Sequence, residues 1–316
     1  MYCTTLPAMR DLCDEREERE GIWNRKPQLQ LIYHRARRDG VSPWAVLATV
    51  VTLRLGSVPA QVVAHDGSSL NSGAVIVGGP GSGKTVVVRG AEELSGVPAS
   101  PLHGVSPIKV LAESVSSCTY HPATAPVRGI RIRRGYVPVY NEDVRSLRIE
   151  DLEEQDALRG ILRGEWTLAR MDERVLTKNA SRVCMVLGAQ PRTARELISA
   201  DGGRLAASML WAPSQDGVDR RRDSVGTPSP MTPLRFSLAG TFTSYHEAKV
   251  GDPARAVTRL RADDDVPTDD GLRCVVAAGL AQLWGADPIT LEEWELAGLL
   301  IDVSRNVMLT TRNSTL

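Results

Sequence analysis

Apolar positions fall into a few short runs with distinct periods. From Pro27 to Arg38 they recur at helical spacing, with Leu29, Leu31, Ile32 and Tyr33 among charged and amide residues, which predicts an amphipathic helix. Gly40 breaks that pattern, and Ser42-Pro43 restarts it with a capping residue and a first-turn proline. Trp44 to Leu55 is apolar on every side, so it predicts a second, buried helix. After the turn-forming His65-Asp66-Gly67-Ser68-Ser69 and Asn71-Ser72-Gly73, the run Ala74-Val75-Ile76-Val77 is short and wholly apolar, as in strands buried on both faces of a parallel sheet. Tyr136 to Tyr140 and Arg182 to Ala189 predict two further strands, Pro138 arguing for an edge position in the first. Leu272 to Leu283 and Glu292 to Val303 return to helical spacing. Thr290 and Glu293 form a capping box ahead of the last of these, and Trp284 and Trp294 read as packing anchors.

Between the helical segments, Gln215 to Pro233 is polar and proline-rich. Beyond it, Leu234 to Leu238 and Thr241 to Thr243 alternate like a strand pair turning at Ala239-Gly240. The expected organisation is a helical preface over residues 1–60, a nucleotide-binding core over 61–215 and a C-terminal strand pair with a helical lid over 216–316. The fold class expected is α/β, a three-layer P-loop core with a mostly parallel sheet.

The decisive signal lies directly after the first predicted strand. Gly78, Gly83, Lys84 and Thr85 satisfy G-x-x-x-x-G-K-[ST] within Gly78-Gly79-Pro80-Gly81-Ser82-Gly83-Lys84-Thr85, and Val86-Val87-Val88 continues as a helix start. Glycines let backbone N–H groups turn inward around phosphate oxygens, while the following helix offers its positive end. Lys84 is expected on the β- and γ-phosphates of ATP, Thr85 on Mg²⁺, and the backbone from Gly78 to Val86 around the phosphates. A second strand should end near an acid: Glu142 is the candidate for polarising the attacking water, and Asp143 or Asn141 for the magnesium shell. Gln190 closes the Arg182 strand, where an amide can sense the γ-phosphate or equally cap the next helix.

Composition narrows the class. With 316 residues, 42% hydrophobic and 24% charged, the chain is long enough for one large core with appended helices. No apolar run reaches the length of a membrane span, and no secretory or transit pattern opens the chain, so no membrane partner and a cytoplasmic location are expected. Five scattered cysteines with no C-x-x-C pair predict reduced thiols rather than disulfides or a zinc site. Formal charge is zero, which leaves any DNA contact to local arginine patches such as Arg128, Arg131, Arg133 and Arg134, or Arg220-Arg221-Arg222.

Several segments together resemble a family: the helicase-like P-loop ATPase region that accompanies, or is fused behind, bifunctional DNA primase-polymerase modules of plasmids, prophages and integrative elements. Asp39 to Leu47 is similar to that family's lead-in helix, and Ser68 to Gly78 to its approach to the loop. Gly164 to Arg174, Ser181 to Pro191, Met209 to Pro213, Gly271 to Trp284 and Ile289 to Ala297 follow in the same order. The resemblance implies a replication-associated ATPase motor on DNA, a homo-oligomeric ring and a separate primase-polymerase partner. Two departures stand out. The family's strand-end acid pair is Asp-Glu, where this chain has Asn141-Glu142. An arginine usually precedes its Leu-Trp, where this chain has Ser208-Met209-Leu210-Trp211, leaving Arg204 as the nearest candidate for an arginine finger. Two other function classes fit the same loop: a small-molecule kinase, and a nucleotide-gated assembly protein with little turnover.

Overall fold

A computed structural model describes residues 21–58, 62, 69–101, 136–141, 152–164, 182–199, 203–215, 270–285 and 289–314. Within them lie five strands and eight α-helices, preceded by a 3-10 turn at Ile22–Asn24. Helices α1 (Pro27–Asp39) and α2 (Pro43–Gly56) precede strand β1 (Ser72–Val77) and helix α3 (Lys84–Ser95). Then come β2 (Ser100–Pro101), β3 (Tyr136–Asn141), α4 (Leu152–Arg163), β4 (Arg182–Ala189), α5 (Pro191–Ser199), the short α6 (Arg204–Ala207) and β5 (Leu210–Pro213). Helices α7 (Asp270–Trp284) and α8 (Leu291–Asn313) close the series.

The architecture is α/β, and every strand pairing is parallel in the order β2-β3-β4-β1-β5. Strand β1 is central. Its six residues are all buried, as the unbroken apolar run requires when helices cover both faces. Strand β3 sits inside the sheet rather than at its edge. The two-residue β2 pairs with Val139 and Tyr140 alone, so Pro138 lies outside that ladder, where a missing N–H is tolerated.

Helix α2 explains why the preface belongs to the core. All its residues are buried, and it packs against β1, β4 and β5 on one side and against α1, α3 and α7 on others. A helix apolar all round has no face to give to water. The end of α2 lies beside β4: a Cβ on Gly56 would be in ordinary contact with Cys184, 3.5 Å from its Sγ. Arg54, buried near the helix end, donates to Ser95 O at 3.1 Å and Gln282 O at 3.3 Å, joining the ends of α3 and α7. Burial lowers its pKa to about 10, which leaves it cationic at neutral pH.

The C-terminal helices share this core: buried apolar residues from Ile22 to Val307 form one cluster. Helix α7 packs on α2, where Gly279 admits Val51 closely enough that a Cβ would lie 2.6 Å from its Cγ1. Helix α8 runs against β5, and Ser304 Oγ accepts the Trp211 N–H at 2.7 Å. Strand β5 is the sheet's edge, so this bond satisfies a backbone group that would otherwise stand open to pairing. The predicted capping box is present, Thr290 N–H donating to Glu293 Oε2 at 2.7 Å. Trp284 Nε1 donates to the same carboxylate, and Trp294 is buried as an anchor. No helix among the described residues is long and apolar enough to cross a membrane.

Arg182, the first residue of β4, is buried. It donates to Val58 O, Val62 O, Ser69 Oγ and Asn71 Oδ1, pinning the approach to β1 against the neighbouring strand. Cys184 beside it is fully buried, and burial pushes its thiol up to about 11, so it is a packing residue rather than a reactive one.

Candidate nucleotide-binding site

Parallel register brings the carboxyl ends of three strands together. Val77 is level with Ala189 of β4 and with Pro213 of β5, so Gly78, Gln190 and Ser214 leave the sheet side by side. Asn141 ends β3 on the far side of β4, level with Leu187. The carboxyl edge of an open parallel sheet is where ligands bind, because loops and helix N-termini converge there.

Gly78 to Gly83 forms the connection from β1 to α3. Gly78 N–H donates to Ala189 O at 2.9 Å and Ser82 N–H to Gly79 O at 3.3 Å, which sets a tight turn. Gly81 and Gly83 have φ of 70° and 90°, the left-handed region that side chains other than glycine avoid. Gly83 is the N-cap of α3, and a Cβ there would also lie 2.9 Å from Val41 Cγ1. Gly79 and Gly81 have open space where a Cβ would stand, with no protein atom within 4 Å.

Lys84, the first residue of α3, curls over this turn. Its Nζ donates to Gly78 O and Gly79 O at 2.8 Å each, placing the ammonium at the mouth of the loop. A cation there adds to the positive end of the helix, whose first amides have no partner within the helix. Thr85 and Pro80 are exposed. Val86-Val87-Val88 lies in the first turns of α3 as expected, with Val86 exposed at 39% and Val87 and Val88 buried.

Behind the loop stands Ser214, which the sequence reading missed. Its N–H donates to Val77 O at 2.8 Å, its carbonyl accepts Ser42 N–H at 3.0 Å, and its Oγ donates to Ser82 Oγ at 2.7 Å. A Cβ on Gly78 would fall 2.0 Å from Ser214 Oγ and 2.3 Å from Ser82 Oγ, so this glycine exists to make room for the serine pair. A serine ending an apolar strand level with the loop strand was the available signal. Helix α1 is tied to α3 by Arg35, whose Nη1 reaches Glu93 Oε2 and whose Nε reaches Asp39 Oδ2, each at 2.5 Å. Burial opposes its charge, yet the two carboxylates hold its pKa above the ordinary value.

The remaining expected site residues divide. Gln190 is at the sheet edge next to Gly78, and its backbone also serves α5: its carbonyl accepts Ala194 N–H at 2.8 Å and its N–H donates to Thr193 Oγ1 at 3.1 Å. Arg204 is exposed and opens α6 ahead of β5. Met209, directly before β5, touches Gly73 near the start of β1, which puts α6 toward the amino edge of the sheet. Within one chain Arg204 is therefore not brought to the loop. Glu142 and Asp143 lie outside the described residues, as do both arginine patches and the strand pair expected at 234–243.

The donor set fits a phosphate ligand better than a protein-built metal centre. Open glycine positions, a central ammonium and a helix N-terminus suit a polyphosphate. Among the described residues no group of three or more His, Cys, Asp or Glu could hold a metal. Magnesium needs few protein ligands when phosphates supply oxygens.

No family model matches the chain, and no curated protein matches it.

Proposed function

We propose that the chain is a P-loop nucleoside triphosphatase that binds Mg-ATP at Gly78–Val86 and couples its hydrolysis to work on DNA. The observation that carries this reading is Lys84 Nζ, held 2.8 Å from two carbonyls at the mouth of a glycine turn between a central parallel strand and a helix N-terminus. In this reading the loop amides and Lys84 hold the β- and γ-phosphates. Bound magnesium would neutralise charge building on the transferred phosphoryl oxygens, with Thr85 and Asp143 as its protein-side oxygens. Glu142 orients the attacking water, Gln190 reports the γ-phosphate from the neighbouring strand end, and Arg204 reaches the site of an adjacent subunit. An arginine supplied in trans needs a neighbouring subunit, and a homo-oligomeric ring would supply one to every site. The resemblance to primase-polymerase-associated ATPases supplies the DNA part of the proposal, with replication of a mobile element as the process, a primase-polymerase as a separate partner and the cytoplasm as the location.

A second reading, a nucleotide-gated assembly protein with little turnover, is favoured by one observation: Asn141, an amide, ends β3. ATP hydrolysis by the purified protein, with and without single-stranded DNA, separates the two. A motor shows DNA-stimulated turnover that Lys84→Ala and Glu142→Gln both lose. Saturable ATP binding without turnover would overturn the motor and leave the assembly protein. Turnover indifferent to DNA but coupled to a small phosphoryl acceptor would point instead to a kinase.

A further inference from the structure

We propose that Ser214 is a positioning residue for nucleotide binding, acting through Ser82 to hold the glycine loop open; the inference rests on the ATP-binding reading above. All three of its polar groups are committed. The N–H donates to Val77 O at 2.8 Å, the carbonyl accepts Ser42 N–H at 3.0 Å, and the hydroxyl donates to Ser82 Oγ at 2.7 Å. Ser214 is 0% exposed and Ser82 9%, so their bond is shielded from water and from competing partners.

The consequence for the loop is mechanical. Ser82 immediately precedes Gly83 and Lys84, the point where the turn becomes α3. With its side chain drawn back to Ser214, the segment Gly79–Ser82 is held from behind, while the Cβ positions of Gly79 and Gly81 have no protein atom within 4 Å. Gly78 contributes by having no side chain in the space that the two hydroxyls fill. The α1–α2 turn is anchored to the same serine through Ser42, and Val41 Cγ1 presses against the backbone position of Gly83. A loop organised before the ligand arrives pays less ordering cost on binding, so losing the anchor should appear as lost affinity.

The experiment measures binding of a fluorescent ATP analogue with magnesium to the full chain and its Ser214→Ala, Ser82→Ala, double and Ser214→Thr variants. Thermal melting without nucleotide follows the fold separately. Each alanine variant should bind about tenfold more weakly, the effect of one buried hydrogen bond with its desolvated partner. The double variant should be no weaker than either single one, because the two hydroxyls act as a unit. Ser214→Thr keeps the hydroxyl and should recover most of the affinity, which a general packing role would not allow. Single variants that bind like the wild type, or losses that multiply in the double variant, overturn the inference. If Ser214→Ala fails to fold, Ser82→Ala carries the test alone. Wild-type protein that melts cooperatively yet binds no nucleotide would overturn the ATP-binding reading and this inference together. Wild-type binding that Lys84→Ala abolishes and the serine variants retain would overturn the positioning role alone.

Discussion

Replacing Gly78 with alanine separates packing behind the loop from ligand contact in front of it. The added methyl would lie 2.0 Å from Ser214 Oγ, 2.3 Å from Ser82 Oγ and 3.0 Å from Ser214 Cβ. Neither hydroxyl can rotate away without breaking the 2.7 Å bond that joins them, and the Ser214 backbone is fixed by its bond to Val77. Losing one buried hydrogen bond costs about 1 kcal/mol and overpacking about 1 to 3 kcal/mol, together roughly 2 to 4 kcal/mol. For a chain of this size each kcal/mol moves the melting temperature by about 2 °C, so Gly78→Ala should melt roughly 4 to 8 °C below the wild type. Gly79→Ala is the control. Its Cβ would meet nothing within 4 Å and its φ is not in the left-handed region, so its stability should stay within about 0.5 kcal/mol of the wild type. Gly79 lies within the loop proposed to wrap the phosphates, so Gly79→Ala should lose nucleotide affinity while melting normally. Thermal unfolding by circular dichroism and titration with nucleotide read the two effects independently. A Gly78→Ala protein that melts like the wild type, or a Gly79→Ala protein that loses as much stability, would refute the packing described here.

Two further outcomes follow from buried polar groups away from the loop. Arg182→Met should cost about 3 kcal/mol, since it removes the donor to the Val58 and Val62 carbonyls and the ties to Ser69 and Asn71, and lysine should not substitute because it lacks the planar fork; an unchanged urea midpoint would refute the pin. For Glu293, burial pushes the carboxyl up, but hydrogen bonds from Thr290 and Trp284 outweigh it and hold the pKa below the usual 4.5. A depressed carboxylate stabilises the fold above its unfolded pKa and loses that contribution as pH falls through the folded value. Glu293→Gln should therefore cost about 1 kcal/mol at neutral pH and flatten the loss of stability below pH 4.5, a shape that acid titration of the melting temperature would test.

Local chemistry made much of this fold legible. Helix α1 followed from its apolar spacing and from Gly40, which takes φ of 67° at the helix end. The start of α2 followed from Pro43 in its first turn, although the Ser42 hydroxyl expected to cap it makes no capping bond, and the start of α8 followed from Thr290 and Glu293, because first-turn and capping chemistry act within a few residues. The glycine turn was legible for the same reason. What eluded the sequence is long-range. Ser82 and Ser214 are 132 positions apart, and nothing in the periodicity around either announces the other. Val41 gave no sign that it would press on Gly83, since its own neighbours read as a helix approach. Strand β3 was weighted toward an edge by Pro138, and its inner position depends on a β2 ladder too short to reach that residue.

The long-range contacts also explain why a glycine loop built from local rules needs so much other chain. Strand β5 carries Ser214 to the loop, and β5 is held at the sheet edge by α8 through the Ser304 to Trp211 bond. Helix α8 packs on α7, α7 on α2, and α2 begins at Ser42, whose N–H returns to Ser214. The path closes on itself around the loop: the preface meets the end of β5 at the Ser214 carbonyl, and the glycine turn meets it at the Ser214 hydroxyl. A glycine-rich turn is the part of a fold least able to hold its own shape, because glycine has the most backbone freedom to lose. Here that cost is met from outside the turn, by elements that contribute no side chain to the phosphate cradle. Changes on α2 or α8 that shift β5 relative to β1 should therefore reach the loop through Ser214 before they reach it through the sheet.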